Sequence, residues 1–399
     1  MITKINVDGF KSLLDFEITF QKGLNVIIGP NGAGKTNICQ SLILLSSLPS
    51  NEIKETLNFF GGASSVFNKK STKRRTISIK AEGEVEAKYP TKESYEEFKL
   101  TYLYAVEIRL QANNIIKINE DLLISRLNKE NIYIPVINVS HRGDILKYKI
   151  LNKSLVGDFK ISEDNISIRM EYGDNLWSLM PKISYVCHIV GRDIYRIKSI
   201  NIDPHIARAA CDIVEPDRML SNGRYLANAL YCLSKQKGRI DEINTILADS
   251  LECECQIKPE FSQLSLKRHF ALIKCNGDKF SSSSLSDGTI KLIGLLVGIV
   301  NQEKYSMIIE EPENYLHPRV DRLLVDYLRE TFDNGSCILT SHSETILNLI
   351  SPNEIIICKL DNGITKCKRI NDTKQVIDSI IESGFGCGYH YVAGNFSNL

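Results

Sequence analysis

The stretch from residue 24 to residue 47, LNVIIGPNGAGKTNICQSLILLSS, decides the fold of this chain. Its first five residues are apolar, branched and too few for a helix, so they predict a buried strand. The next eight, Gly29–Thr36, match the pattern GxxxxGK[ST] and lead into a segment of helical character. A glycine-rich loop between a strand and a helix binds phosphate through its backbone N–H groups and the helix dipole. The sequence therefore predicts a nucleotide phosphate site at this loop.

Each residue type in the loop has a chemical reason. The glycines leave room for N–H groups to turn toward phosphate oxygens. Lys35 would add a positive charge on the β- and γ-phosphates, and the hydroxyl of Thr36 is a ligand for Mg²⁺. ATP and Mg²⁺ are thus the expected cofactors. The residues expected to contact the nucleotide are Gly29, Pro30, Asn31, Gly32, Ala33, Gly34, Lys35, Thr36 and Asn37.

A second apolar run, YSMII (305–309), predicts another buried strand, and the acidic sequence EEPE begins directly after it at Glu310. A carboxylate at the C-terminal end of a parallel strand beside the phosphate loop is well placed to hold Mg²⁺. Glu310 is therefore expected to hold the metal, and Glu311 to be the general base that orients the attacking water. An isolated EEPE is more often a surface turn, so this interpretation depends on the neighbouring motifs.

Two further motifs flank the acids. The sequence LSDGT contains Ser286, Asp287 and Gly288 and heads an apolar segment, IKLIGLLVGIV. Ser286 is a good N-cap, so this segment predicts a helix whose N-terminus faces an anion. After the acids, CILT (337–340) predicts a third strand that ends in SHS. His342 in that sequence can reach a γ-phosphate or the attacking water, although a histidine in such a place is often structural.

In their order and in their residues, these motifs resemble those of the ABC-type ATPase heads of the RecF, SMC and Rad50 group. Within that group the chain is most similar to small bacterial ATPases of anti-phage defence operons. The resemblance covers about residues 1–60 and 260–370 and includes the FKS sequence ahead of the phosphate loop. The segment RMLSNGRYLANALYCL (218–233) also looks like a helical element of these heads.

The resemblance implies that two heads enclose two ATP molecules. Ser286 and Gly288 would then contact the γ-phosphate held by the other copy, and Asp287 between them would belong to the same nucleotide site. The loop NYLHP (314–318) would cross the dimer interface. His342 would be the switch histidine. Two residues depart from transporter-type heads, which carry Asp at the position of Glu310 and Gly at that of Asp287. The glutamine of the Q-loop has no clear counterpart, and Gln111 is one candidate.

Between the two ends, residues 77–87, 99–112 and 114–124 alternate in polarity and predict antiparallel strands. From about residue 204 to 250 the pattern turns helical, and no long heptad run indicates a coiled-coil arm. We therefore expect an α/β P-loop head with a mixed sheet, an antiparallel β lobe and a helical insertion. The two ends of the chain should fold together into one head, because the phosphate loop and the strand that leads to the acids must be neighbours. The expected parts are an N-terminal lobe (1–200), the helical insertion (201–258) and a C-terminal lobe (259–399).

Composition narrows the function classes. The chain has 399 residues and a net charge of +1, so it is not a strongly basic nucleic-acid coat. It does not begin with a secretory pattern, and no apolar segment is long enough to cross a bilayer. Its 11 cysteines are scattered without a CxxC pair, which favours free thiols in the cytoplasm. Cys253, Cys255, His269 and Cys275 could form a zinc site, but their spacing favours idle thiols.

One basic cluster falls on a predicted loop. A solvated loop is the commoner explanation, and sequence-blind contact with nucleic acid phosphates is the other. The cluster consists of Lys69, Lys70, Lys73, Arg74 and Arg75.

The expected function is that of a dimeric, slowly hydrolysing ATPase that gates a separately encoded effector nuclease in defence against phage. Assemblies larger than a dimer are also compatible with the sequence. The stretch after Ser343 looks too short for the nuclease domain that related proteins carry. The alternative is a RecF-like ATPase that binds DNA directly in repair. A transporter subunit is disfavoured because about 275 residues separate Lys35 from Glu310 (310 minus 35). A scaffold that binds ATP without hydrolysis is disfavoured by the presence of Glu311.

Overall fold

A computed structural model describes residues 1–48, 53–90, 95–112, 115–152, 165–170, 176–177, 184–301, 306–370 and 373–394. The chain divides into two compact units. The first comprises residues 1–22, 29–197 and 356–368, and the second comprises residues 23–28, 198–355 and 369–399. No helix within the described ranges is long and apolar enough to cross a membrane.

The helices and strands are numbered here in chain order. The described strands are β1 (Ile2–Asp8), β2 (Phe16–Thr19), β3 (Gly23–Ile28), β4 (Thr76–Pro90), β5 (Tyr95–Leu110), β6 (Ile116–Leu127), β7 (Tyr133–Arg142), β8 (Ile145–Ile150), β9 (Asn165–Arg169), β10 (Lys198–Ile200), β11 (Cys211–Asp212), β12 (Cys255–Ser262), β13 (Lys267–Lys274), β14 (Lys279–Ser281), β15 (Ser306–Glu310), β16 (Ser336–Ser341), β17 (Ile355–Asp361) and β18 (Ile364–Arg369). The described helices are α1 (Lys35–Ser47), α2 (Ile53–Phe59), α3 (Ala63–Val66), α4 (Tyr185–Tyr195), α5 (Pro204–Ala207), α6 (Leu226–Leu233), α7 (Arg239–Leu251), α8 (Asp287–Val300), α9 (Pro318–Thr331), α10 (Glu344–Leu349), α11 (Thr373–Ser383) and α12 (Cys387–Val392), with a 3₁₀ turn at Pro352–Glu354.

The first unit is built on an antiparallel sheet of eight strands in the order β2-β1-β4-β5-β6-β7-β8-β9. Its strands alternate in burial, as β4 shows: Ile77, Ile79 and Ala81 are buried, while Lys80 is exposed. Because successive side chains of a strand point to opposite faces, one face of the sheet carries the core. The predicted antiparallel strands between residues 77 and 124 are confirmed.

A buried polar cluster stabilises this sheet. The carboxylate of Glu120 accepts hydrogen bonds from the Tyr104 hydroxyl and from Nδ1 of His141, the latter at 2.8 Å. The Nε2 atom of His141 lies 2.9 Å from the carbonyl oxygen of Gly143. Burial opposes a charge on this imidazole, but the bond to Glu120 outweighs it, so the pKa of His141 is raised. Both ring nitrogens face acceptors, which suits the protonated, doubly donating form.

The second unit contains a parallel sheet in which β10, β15, β16 and β3 follow one another. The predicted strands at 24–28, 305–309 and 337–340 lie in it, except that Tyr305 is outside the described residues. Strand β3 is almost entirely buried. Strand β16 pairs with both β3 and β15 and so lies between them. His342 directly follows this middle strand.

The rest of the second unit is largely helical. It includes α5, α6 and α7 between residues 204 and 251, and a small antiparallel sheet of β11, β13, β12 and β14. Within the segment 218–233 only residues 226–233 form a helix, which begins after Tyr225 in a left-handed conformation (φ 69°). The longest described helices, α8 and α9, have 14 residues each, so no described segment forms a coiled-coil arm.

One expectation about the cysteines is wrong. Cys358 and Cys367 form a disulfide between the adjacent strands β17 and β18, so these two are not free thiols. Sequence spacing did not reveal this pair, because nine positions separate its members and only a hairpin brings them together. The other nine cysteines are free. His269 of the candidate zinc cluster pairs with Glu260 at 3.2 Å, and among the described residues no group of His, Cys, Asp or Glu is arranged to hold a metal.

Candidate functional site

The phosphate loop follows β3 without an intervening residue. Gly34 ends the loop as the N-cap of α1 in a left-handed conformation (φ 97°). A Cβ at this position would also overlap the Thr365 hydroxyl, so only glycine fits here for both reasons. The helix therefore begins at Lys35, and its first N–H groups have no acceptor within the helix and are available to a phosphate.

Lys35 is buried, and its ammonium group is held inside the loop. Its Nζ donates to the carbonyl oxygens of Gly29 at 2.9 Å and Pro30 at 3.3 Å. Thr36, in contrast, is exposed at the start of α1. A lysine at the centre of the loop and an exposed hydroxyl at its end have the chemistry expected of a phosphate-binding cation and a magnesium ligand.

A chain of hydrogen bonds supports the loop from behind. The Asn37 amide donates to the Ser12 hydroxyl at 2.7 Å, and the Ser12 and Thr365 hydroxyls lie 2.6 Å apart. The Thr365 hydroxyl in turn donates to the carbonyl of Ala33 at 3.0 Å. Ser12 belongs to the FKS sequence, which explains why that sequence accompanies the phosphate loop. Asn37 is therefore part of this chain of hydrogen bonds, and its contact with the nucleotide stays a prediction. Thr365 was missed by sequence reasoning because it lies far along the chain in β18.

Within the second unit, the parallel register gathers three strand ends at one edge. Glu310, the last residue of β15, pairs with Thr340, and Ser341 of β16 pairs with Ile28 of β3. The phosphate loop starts at the residue after Ile28, and His342 follows Ser341. Carboxyl ends of parallel strands are where α/β sheets bind ligands. The sheet thus brings the ends of all three predicted motif strands to the same edge.

Glu311 is held by contacts on both of its carboxylate oxygens. One oxygen lies 3.3 Å from Nε2 of His342, and the other accepts from the Asn314 amide at 2.8 Å. Its backbone N–H donates to the carbonyl of Thr340 at 3.0 Å. The residue has a positive φ of 46°, which is uncommon for any residue except glycine and tends to occur at functional sites. The structure therefore joins the expected base and the expected switch histidine directly.

Glu313 fixes the loop that carries His342. A single oxygen of its carboxylate accepts from the Ser341 hydroxyl at 2.8 Å and from the His342 N–H at 2.9 Å. Two buried charged groups lie in its electrostatic surroundings. Burial, and then the charge of Glu313, raise the pKa of Asp321 to about 7. Burial lowers the pKa of Lys291, against the attraction of Glu313 and Glu311. The third acid of EEPE thus has a positional role that the sequence did not indicate.

The LSDGT motif begins α8 as predicted. The Ser286 hydroxyl caps the helix by accepting from the Thr289 N–H at 3.2 Å. A Cβ at Gly288 would lie 2.5 Å from the carbonyl oxygen of Tyr315, so this glycine permits a close approach of the NYLHP loop. Asp287 forms an ion pair with Arg208. The helix N-terminus and the NYLHP loop are therefore neighbours within one chain.

Two other sequence predictions concern the Q-loop candidate Gln111 and the basic cluster. Gln111 lies in the turn between β5 and β6, where its N–H donates to the carbonyl of Ile115 at 2.9 Å, and its role as the Q-loop residue stays a prediction. The five cations of the basic cluster are all exposed, and Lys70 donates to the carbonyl of Asn362 in the turn between β17 and β18.

Comparison with known families bears on this arrangement. The model of the AAA ATPase domain matches residues 1–347, which is most of the chain. The chain belongs to this family. It is an ATPase domain of the type found in the SMC, RecF and Rad50 proteins, as its motifs indicated.

Three curated relatives illustrate the similarity. The DNA double-strand break repair Rad50 ATPase of Methanopyrus kandleri is 41% identical over 44 residues, which are 11% of this chain and 5% of the relative. The chromosome partition protein Smc of Aquifex aeolicus is 29% identical over 154 residues (37% and 12%). The Septu protein PtuA of Bacillus thuringiensis is 33% identical over 64 residues (16% and 16%). This chain thus matches only a small part of each relative's length.

The fold has a solved counterpart. The structure of an Smc head bound to the C-terminal winged-helix domain of ScpA superimposes with a TM-score of 0.53. The match covers 94% of this chain and 99% of that one, at 14% identity. At this identity the likeness shows the fold alone, an α/β head of the SMC type.

Proposed function

We propose that this chain is an ATP-hydrolysing switch in which two copies close around two ATP molecules and thereby gate a separately encoded effector, a nuclease, in defence against phage. The observation that carries the hydrolytic part is the contact between Glu311 and His342, 3.3 Å apart at the edge of the parallel sheet where β15 and β16 end. A carboxylate and an imidazole paired at such an edge can orient a water molecule and accept its proton.

The roles divide among few residues. Lys35 and the loop N–H groups would bind the β- and γ-phosphates of ATP. Thr36 and Glu310 would hold Mg²⁺, which neutralises phosphate charge when bound, and their oxygen ligands are of the kind that this ion prefers. Glu311 would take a proton from the water that attacks the γ-phosphorus. One P–O bond then forms and the bond to the ADP oxygen breaks. His342 would contact the γ-phosphate and stabilise its negative charge while the water attacks.

The pairing of two copies rests on the LSDGT motif. Ser286 accepts from the Thr289 N–H, and its hydroxyl lies 2.8 Å from that of Thr289. With the Thr289 hydroxyl as the donor in that contact, the Ser286 hydrogen can donate to a phosphate oxygen of ATP bound to the other copy. The N-terminal dipole of α8 favours an anion at the same point. ATP would therefore join the copies, and hydrolysis would release them, which is the behaviour of a switch.

The effector is inferred from relatives. Sequence similarity extends to the Septu protein PtuA, and the solved Smc head is bound to a domain of a second protein, ScpA. A head of this fold can thus carry a partner. We also propose that the protein acts in the cytoplasm. We further propose that its parts are an N-terminal lobe (1–200), a helical insertion (201–258) and a C-terminal lobe (259–399).

The effector is tested by co-expressing the tagged Glu311→Gln protein with the products of the adjacent genes and adding ATP–Mg²⁺ before capture. The amide cannot accept the proton, so the ATP-bound form should persist and retain a nuclease partner. Lys35→Ala is the matched control, because it removes the phosphate cation and should not retain the partner in an ATP-dependent way. Capture of the ATPase alone in every condition would refute the gating role.

A second candidate function, direct DNA binding in repair, is favoured by the exposed basic cluster at residues 69–75. Similarity to a Rad50 ATPase named for double-strand break repair points the same way. Five exposed cations would give salt-dependent binding without sequence preference. ATP turnover by the purified chain that rises with duplex DNA, and falls back when Lys73, Arg74 and Arg75 are changed to Glu, would favour this function over gating.

A further inference from the structure

Arg208, which follows α5, holds the segment that leads into α8. Its Nη1 donates to the carbonyl oxygens of Ser283 at 3.1 Å and Leu285 at 3.2 Å. Its Nη2 donates to the carboxylate of Asp287. Its own carbonyl accepts from the Ser282 hydroxyl at 3.0 Å. One residue thus contacts four positions on the approach to the helix N-terminus.

Asp287 presents an electrostatic problem at this position. It is the first residue of α8 and directly follows Ser286, whose hydroxyl caps the helix. An acidic side chain in the first helical turn stabilises the helix itself. The same carboxylate would repel a polyphosphate that approaches Ser286, because like charges within several ångströms oppose each other even near a protein surface. An unneutralised Asp287 would therefore oppose the pairing of two ATP-bound copies.

We propose that Arg208 is a positioning residue that neutralises Asp287 and so allows the LSDGT motif to accept the γ-phosphate held by the other copy. This inference rests on the proposed ATP-dependent pairing. Arginine suits the task, since its planar group can bond a carboxylate and two carbonyls at once and stays charged at every physiological pH. The pair also accounts for an aspartate at a position where transporter-type heads carry glycine.

The test uses the Glu311→Gln protein, in which ATP should hold the copies together. Its ATP-dependent dimer dissociation constant is measured by sedimentation, alongside the same protein with Arg208→Met, Arg208→Lys, Asp287→Asn, or Arg208→Met combined with Asp287→Asn. Affinity for ADP is measured in parallel. ADP is held by the phosphate loop of its own chain and lacks the γ-phosphate, so none of the substitutions should alter its affinity.

Arg208→Met should weaken pairing by at least about tenfold, since it leaves a carboxylate facing the phosphates. Arg208→Lys should keep most of the pairing. Adding Asp287→Asn to Arg208→Met should restore pairing to within about threefold of the parent, because the charge to be neutralised is gone.

Three results would overturn the inference. Unaltered pairing of Arg208→Met would show that neutralisation is unnecessary. A double variant that pairs as poorly as Arg208→Met would show that Arg208 acts only by bracing the loop. If the Glu311→Gln parent itself does not pair with ATP, the proposed function fails and this inference with it, whereas the first two results leave the proposed function standing.

Discussion

Replacing Thr365 by valine should loosen the phosphate loop without altering any residue expected to touch the nucleotide. Valine keeps the shape of threonine but lacks the hydroxyl that donates to Ala33 and contacts Ser12 at 2.6 Å. Both bonds would be lost, and the carbonyl of Ala33 would be left in a tightly packed place without that donor. Thr365→Ser, which keeps the hydroxyl, is the matched control.

The expected size follows from the two hydrogen bonds. Each contributes about 1 kcal/mol net, so the free energy of unfolding should fall by roughly 2 kcal/mol. If about 1–2 kcal/mol of that loss acts on the conformation that binds phosphate, the dissociation constant for ATP should rise about 5- to 30-fold. The serine control should remain within about threefold of the wild type, which corresponds to less than about 1 kcal/mol.

The assay is a titration of the purified protein with ATP in the presence of Mg²⁺, read by calorimetry, together with denaturant unfolding. Thr365→Val that binds ATP as tightly as the wild type would refute the supporting role of the hydroxyl chain. A loss of affinity in Thr365→Ser equal to that in Thr365→Val would also refute it, because the hydroxyl would then be irrelevant.

Three further predictions concern other contacts. Glu313→Met should lower kcat for ATP by about tenfold or more with little change in ATP affinity, since the Ser341 hydroxyl and the His342 N–H lose their acceptor, and Glu313→Gln, which keeps an oxygen, should lose less. The stability contributed by the bond between His141 and Glu120 should be fully present below about pH 6.5, the ordinary histidine pKa, and should be lost as pH rises through the raised pKa of His141. Glu120→Gln should flatten this pH dependence in thermal unfolding. Replacing both Cys358 and Cys367 by serine should lower the free energy of unfolding by about 2.5 kcal/mol in denaturant titrations, because the bond closes a loop whose ends are nine positions apart. Reductant should destabilise only the wild type.

The local parts of the fold could be predicted because adjacent residues determine them. The run LNVII and the glycine loop after it specify strand, loop and helix within 24 residues, and Ser286 caps α8 as its residue type indicates. The alternation in residues 77–87 likewise specified an antiparallel strand. Each of these features depends on backbone preference or on the period of apolar residues, which the sequence shows directly.

Features that depend on contacts between distant residues could not be predicted. Thr365 supports a loop more than 300 positions away, and Arg208 lies 79 positions from Asp287. The place of β16 between β3 and β15 is a choice of strand order, on which the residues of β16 themselves give no information. The Cys358–Cys367 bond required the hairpin to be known first.

The central claim, that ATP joins two copies through a shared site, is tested most directly by mass photometry of the Glu311→Gln protein with and without ATP–Mg²⁺. ATP should convert single chains into particles of twice the mass, and Lys35→Ala introduced into the same protein should prevent this. A particle mass that ATP leaves unchanged would contradict the claim.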